Sequence, residues 1–234
     1  MKHLVAVLGC EREPFLTLEK SVRETWAGHV PDEFKVLFYY GKAGEDKTDG
    51  DRVYVNCADT MNTMTEKGFL FFEKMLSEYA DLEIVFFTNL SSYVRLDRLV
   101  DIFKGLQRKK LYSGFVGHCG EILFASGAGL FISRDLLQLL VDNKEQVIKD
   151  TLKIGKETKL YQAVGDVAIG LFLMKRGIDI IPQRRLDVES VEKAALLKKE
   201  DVQAHYHFRC KQTDRNNDVV VMRRIHSLLK KEGN

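Results

Sequence analysis

Phe124-Ala125-Ser126-Gly127-Ala128-Gly129-Leu130-Phe131-Ile132-Ser133-Arg134-Asp135-Leu136-Leu137 is answered further along by Gly165-Asp166-Val167-Ala168-Ile169-Gly170-Leu171-Phe172-Leu173-Met174-Lys175-Arg176-Gly177-Ile178. The first string reads as a glycine-loosened turn, a short apolar strand, and a helix opened by Ser133. The second reads as a helix from Val167 to Arg176, capped by Asp166 and closed by Gly177, before a buried strand from Ile178 to Ile181. Together they bring one carboxylate beside a wall of small residues.

Upstream, strand and helix patterns alternate. Leu4 to Gly9 reads as a strand, Thr17 to Ala27 as a polar amphipathic helix, and Lys35 to Tyr40 and Val53 to Asn56 as strands. Thr65 to Tyr79 reads as a long helix, Glu83 to Thr88 as a strand and Arg95 to Gly105 as a helix. Such alternation implies an α/β layer structure around a mostly parallel sheet. Phe69, Phe72, Leu76 and Tyr79 recur at helical spacing, so the long helix buries that face. The polar stretch 41–51 is a surface loop and not a boundary, because the alternation resumes after it. Beyond Gly105, the short runs Ser113 to Gly117, Ile122 to Phe124 and Leu130 to Ile132 imply mixed or antiparallel strands, followed by a helix from Leu136 to Val147. The charged stretch Val191 to Asp201 and the tail Lys230 to Asn234 read as solvated or mobile.

The 234 residues, 45% of them hydrophobic, suffice for one large core. With 36 Lys and Arg against 34 Asp and Glu, the net charge of +2 gives no reason to expect nucleic acid or a membrane surface as partner. Cys10, Cys57, Cys119 and Cys210 form no C-x-x-C pair and read as isolated, buried thiols of a reducing compartment. No apolar run approaches the ~20 residues of a transmembrane helix, so the expectation is a soluble, cytoplasmic chain. The glycine-rich nucleotide fingerprints, the G-x-S-x-G elbow and H-E-x-x-H are all missing, and with them those chemistries.

The two quoted strings resemble the core of the nucleotide-sugar glycosyltransferases of the β3-galactosyltransferase and fringe families, whose patterns run SGGGYVLSRDL and EDVxVGxxLxxLGI. Further matches follow in order. Arg23-Glu24-Thr25-Trp26 is similar to the R-x-T-W that follows strand one. Asp59 to Lys67 is similar to D-S-Y-x-N-L-T-x-K at Asp59, Thr65 and Lys67. Asn89-Leu90-Ser91-Ser92 stands where the families have K-T-D-D-D-V-F-V after an apolar strand. The resemblance runs from Val5 to Pro182. It implies a GT-A fold in a single domain over 1–234, with helices on both faces of the sheet and a smaller mixed-strand part in the C-terminal half. It further implies a nucleotide-binding half over about 1–105 and an acceptor-binding half with a tail over about 106–234.

The resemblance implies inverting transfer of a sugar from a nucleotide sugar, uridine-linked, to a glycan or other hydroxyl acceptor. Asp166 would be the general base; its other reading is an ordinary N-cap, since Asp is favoured before a helix. Gly127 and Gly129 would leave room for sugar or acceptor, or only permit unusual backbone angles. Glu11, Arg12 and Arg23, beyond the strand ends, would border the nucleotide base, while Trp26 reads as packing. Asp59 and Lys67 belong to the site by resemblance; otherwise Thr65 is a cap and Asp59 fixes its loop.

One departure matters. Two hard carboxylates and a diphosphate normally hold Mn²⁺ or Mg²⁺ after that apolar strand, and Asn89, Leu90 and Ser91 supply no charge. The expectation is therefore that no metal is required, with Mn²⁺ only on atypical ligands, and that Asn89, Ser91 and Ser92 hydrogen-bond ribose or phosphate. The segment His205 to Arg215 is cationic and aromatic, and His207, Arg209, Lys211 and Arg215 would neutralise the diphosphate. It reads otherwise as a solvated edge strand, or as a His205 and His207 metal pair. The alternative function, suggested by the lost aspartates, is a catalytically inactive sugar-nucleotide-binding module.

Overall fold

Leu4, Val5, Ala6 and Val7 are all fully buried, as a strand covered on both faces requires. The structure, a computed structural model, describes residues 2–159 and 164–230. In chain order its first elements are β1 (His3–Leu8), α1 (Phe15–Glu24), β2 (Phe34–Gly41), β3 (Lys47–Asp49), β4 (Arg52–Val55), α2 (Met64–Glu78), β5 (Ile84–Asn89), β6 (Ser92–Val94) and α3 (Leu96–Gly105). There follow β7 (Tyr112–Cys119), β8 (Ile122–Ser133), α4 (Arg134–Asp142), α5 (Lys144–Thr158), α6 (Gly165–Met174), β9 (Ile181–Pro182) and β10 (Leu186–Asp187). The chain closes with α7 (Val191–Leu196), α8 (Lys199–Ala204), β11 (His207–Arg209) and α9 (Asn217–Leu229).

The main sheet runs β3-β4-β2-β1-β5-β8-β7-β9, parallel from β4 through β5, with β8 antiparallel to both its neighbours. Alternate residues of β1 face opposite cores, the period of two that a pleated strand imposes. Leu4 and Ala6 pack with α2, α4, α5 and α6, through residues such as Phe71, Leu137 and Phe172. Val5 and Val7 pack with α1, α3 and α9, through Leu18, Phe103 and Met222. A small second sheet, β10-β11-β6, joins the front of the chain to its end, with Arg209 of β11 opposite Ser92 of β6. The mostly parallel sheet with helices on both faces and a mixed C-terminal part is the architecture expected. Among the described residues, no helix is long and apolar enough to cross a membrane.

Several local expectations differ from what is seen. The helix from Leu136 is broken at Asn143, whose amide donates to the Leu139 carbonyl at 2.8 Å and so competes with the helical ladder. The runs at 122–124 and 130–132 are one continuous strand, with the irregularity on β7 between Gly114 and Val116. Ile178 to Ile181 is no buried strand: only Ile181–Pro182 pairs, at the edge of the sheet, and Ile181 is exposed. Val191 to Asp201 is ordered as parts of α7 and α8, because Ala194 and Val202 bury against α9 and Ser190 accepts the Lys193 N–H at 3.1 Å. The helix α9 was unanticipated, though Val221, Met222 and Ile225 form a buried stripe. Lys230 ends it, and 231–234 lie outside the described residues. Only Cys57 and Cys210 are buried; Cys10 and Cys119 are partly exposed.

Candidate active site

The C-terminal ends of β1 and β5, side by side in the sheet, open onto a cleft of about 650 Å³. An open parallel sheet presents ligands there because the chain leaves β1 toward β2 on one side and returns to β5 on the other. Arg12 follows β1 into the cleft; Asn89 ends β5 and Ser91 follows it; Ser126, Gly127 and Asp166 form the facing wall. Asp59, Lys67, Arg209, Lys211 and Arg215 also line it.

Asp166 lies inside the first turn of α6, and Val164 holds the capping position. Its Oδ1 accepts the Val167 N–H and its Oδ2 the Gly127 N–H, each at 3.0 Å. Small residues make this approach possible. A Cβ on Gly170 would stand 2.6 Å from the Leu123 carbonyl oxygen, and one on Gly165 2.6 Å from Thr65 Oγ1, so any larger residue would push α6 off β8 and α2. Burial raises the pKa of Asp166 above the ordinary aspartate value and outweighs the backbone N–H groups of Gly127, Val167 and Asp166 itself and the charge of Arg209, which act the other way. A partly desolvated carboxylate of this kind is suited to accept a proton. Gly127 has open space around it, with an added Cβ 3.7 Å from Asp166 Oδ2.

The opposite wall is cationic. Arg209 Nη1 donates to Asn89 Oδ1 at 2.8 Å, and Asn89 Oδ1 also accepts the Ser91 N–H at 3.1 Å. Arg215 Nη2 donates to Ser91 Oγ at 2.7 Å and lies 3.0 Å from Asp218 Oδ2. Among the described residues, no carboxylate lies within ion-pair distance of Arg209 or Lys211. Burial, Arg185 and Arg215 pull the Arg209 pKa down to about 10; burial, Arg209 and Arg215 lower that of Lys211. Like charges held together in this way attract an anion. At 89–91 the side-chain oxygens are those of an amide and a hydroxyl, each engaged by a guanidinium, and no carboxylate stands there. Among the described residues no cluster of three or more His, Cys, Asp or Glu is arranged to hold a metal ion.

Lys67 is buried, and its Nζ donates to Asp59 Oδ1 at 2.6 Å and to the Gly9 carbonyl at 3.1 Å. Arg12 donates to the Asp59 carbonyl, so Arg12, Asp59 and Lys67 are linked. Thr65 is not the cap of α2, a position held by Thr63.

Five residues expected at the site do not line the cleft. Arg23 is taken up by Glu19 at 2.9 Å and Asp51 at 2.6 Å, and its guanidinium lies over Phe38. Glu11 accepts from Tyr54 Oη at 2.9 Å. Ser92 is buried beneath Asn89, and its carbonyl accepts the Trp26 indole N–H at 2.9 Å, which makes Trp26 a packing residue. Gly129 has φ +128°, and a Cβ there would stand 2.5 Å from His207 Cε1; it makes room for His207 and not for a ligand. His207 is buried edge-on against Phe86, and desolvation with the neighbouring Arg185 and Arg209 pulls its pKa well below the usual value, leaving it neutral. His205 lies against the Asp201 carbonyl and does not converge with it. Nor is this segment a solvated edge, because β11 is the middle strand of its sheet.

Reasoning from sequence missed Cys10 and Phe15, which line the cleft just past β1 and were within reach of the strand-end argument. It also missed Arg185, which donates to Ser126 Oγ and the Ala128 carbonyl, both at 3.1 Å, while paired with Asp187. Nothing local in the sequence announces that contact, since it depends on where β10 docks.

The fold has a solved counterpart. It is similar to a glycosyltransferase involved in the glycosylation of the major capsid of PBCV-1, with a TM-score of 0.60, 11% identity, and coverage of 94% of this chain and 99% of that one. At that identity the likeness is one of fold. No family model and no curated protein matches the sequence.

Proposed function

We propose that this protein is a glycosyltransferase that moves a sugar from a uridine-linked nucleotide sugar to a hydroxyl acceptor with inversion, as the β3-galactosyltransferase and fringe families that it resembles do. The observation that carries the proposal is that one cleft, at the switch point of the sheet, holds a desolvated carboxylate, Asp166, and a cationic group, Arg209, Lys211 and Arg215. A transferase needs both: an acceptor for the proton of the attacking hydroxyl and a holder for the departing anion. The shared fold with a capsid glycosyltransferase supports the same chemistry.

In the proposed reaction the acceptor oxygen gives its proton to Asp166 and bonds to the anomeric carbon. The bond from that carbon to the outer phosphate oxygen breaks, and its electrons leave with the nucleoside diphosphate. Attack opposite the leaving group inverts the anomeric centre. Arg12, Asp59 and Lys67, linked to one another beside the end of β1, would border the nucleoside.

The test is an incubation with uridine diphosphate sugars and a panel of hydroxyl acceptors, following release of uridine diphosphate and the anomeric configuration of the product by NMR. Turnover with inversion is expected. Donor binding without hydrolysis or transfer would replace this reading with that of an inactive sugar-nucleotide-binding module, which the uncharged Asn89 and Ser91 favour.

A further inference from the structure

We infer that the diphosphate is held by fixed guanidinium groups in place of a metal ion, and that Asn89 is what keeps the principal one, Arg209, available. The inference rests on the sugar-nucleotide reading above. Arg209 is held by register: β11 sets it opposite Ser92, one turn of chain from Asn89, and its Nη1 reaches Asn89 Oδ1 at 2.8 Å. The neighbouring Cys210 N–H donates to the Ser91 carbonyl at 2.7 Å, which fixes the backbone at that point. Arg215 reaches Ser91 Oγ from the turn just before α9. The two positions that would present metal-binding carboxylates therefore each accept a hydrogen bond from an arginine.

The identity of residue 89 decides what that arginine can do. An amide oxygen orients a guanidinium without neutralising it, and the remaining N–H groups keep their charge for a ligand. A carboxylate at the same place would form a salt bridge with Arg209 across the same 2.8 Å and cancel much of the charge that faces the cleft. Arg215 is already shared with Asp218 at 3.0 Å, so Arg209 and Lys211 carry the uncompensated charge. Arg209, fixed by Asn89, and the neighbouring Lys211 match a diphosphate, which is the part of the donor common to every sugar.

The consequence runs against the usual expectation for such a site. Asn89→Asp, which restores the missing carboxylate, should weaken nucleotide binding and should not create dependence on a divalent ion. Isothermal titration with uridine diphosphate would be run in chelator and in Mn²⁺ on wild type, Asn89→Asp and Arg209→Gln, with the melting temperature of each unliganded protein as the control for folding. Wild type should bind equally in both conditions, and both variants should lose about tenfold or more, the scale of one charge-assisted hydrogen bond. Binding by wild type only with Mn²⁺ would overturn the inference, as would unchanged affinity in folded Asn89→Asp. Inorganic pyrophosphate in chelator separates this failure from failure of the sugar-nucleotide reading. Pyrophosphate bound without any affinity for uridine diphosphate would end that reading and leave the guanidinium site standing, whereas pyrophosphate bound only with Mn²⁺ would end the guanidinium site.

Discussion

Asp166→Asn separates the chemical role of this carboxylate from its structural one. Both oxygens accept backbone N–H groups at 3.0 Å, from Gly127 and Val167. Asparagine keeps one acceptor and turns an NH₂ toward the other donor, and an unpaired buried N–H costs about 1 to 3 kcal/mol. The substitution also removes a charge that burial disfavours, as the raised pKa shows. These effects oppose each other, so the net change should be about 1 kcal/mol or less, or ~2 to 4 °C in melting temperature at this chain length. Turnover should fall by about a hundredfold or more, since the variant has no proton acceptor at that place.

The pH dependence sharpens the test. The native pKa of Asp166 lies above its unfolded value, so the folded protein binds the extra proton between the two. Its stabilising contribution is full below the unfolded value near ~3.9 and is lost as pH rises through the native one. Activity runs the other way, because the base must be ionised, and kcat/KM should fall on acidification at a pH above the ordinary aspartate range. Rates of release of uridine diphosphate would be followed across pH for wild type and variant, with affinity for uridine diphosphate measured in parallel and expected to stay near wild type. A folded variant that transfers sugar at the wild-type rate, or that keeps the same acid limb, would refute the assignment of Asp166 as base.

Gly127→Ala should leave the melting temperature almost unchanged, because the methyl meets Asp166 Oδ2 at an ordinary 3.7 Å, yet raise KM for the acceptor by narrowing the approach to the base; an unchanged KM would speak against acceptor entry at Gly127. Gly129→Ala combines a φ of +128° with a Cβ only 2.5 Å from His207 Cε1 and should cost at least ~1 to 3 kcal/mol, read as a lower midpoint in thermal or urea denaturation. Asp218, fully buried, has its pKa pushed up to about 6 by desolvation. The native state therefore binds its proton more tightly than the unfolded chain, and wild type should lose about 2 to 3 kcal/mol from this group as pH rises from about 4 to 6. Asp218→Asn should lack that slope in urea melts, and parallel profiles for the two proteins would contradict it.

The front half of the fold was legible because a buried parallel strand leaves little choice of residue. Leu4 to Val7, Val36 to Tyr40 and Ile84 to Phe87 are apolar runs, and the boundaries of their strands fall within a residue or two of the expected ones. The C-terminal half was less legible because its signals are tertiary. Ile178, Ile180 and Ile181 read as a buried strand despite Asp179 between them, but only Ile181 pairs, at the sheet edge, where it is exposed. Val191 to Asp201 is charged enough to look solvated, and two small buried residues, Ala194 and Val202, anchor its short helices. In the site, proximity to a strand end brought Arg12 into the cleft, yet the same rule misplaced Arg23, because Glu19 and Asp51 compete for its guanidinium and hold it outside.

The contact between Arg209 and Asn89 spans 120 residues, and neither partner can be interpreted alone. Read by itself, Asn89 is a lost metal ligand and suggests decay. Read by itself, the segment around Arg209 is a basic surface strand. Placed together by the β6 and β11 pairing, they are the basis of the proposed change of charge carrier. Two carboxylates and a divalent ion sum to zero before the diphosphate arrives, and the ion provides the attraction locally. An amide and a hydroxyl sum to zero as well, and on the present proposal Arg209 and Lys211 supply the attraction without an ion to recruit. The desolvation that lowers their pKa values is a cost that persists until an anion enters, so affinity for that anion and instability of the unliganded cleft have one origin. Truncating Arg209 should then relieve strain in the free protein while weakening the complex, a pairing of effects that a purely structural arginine would not produce.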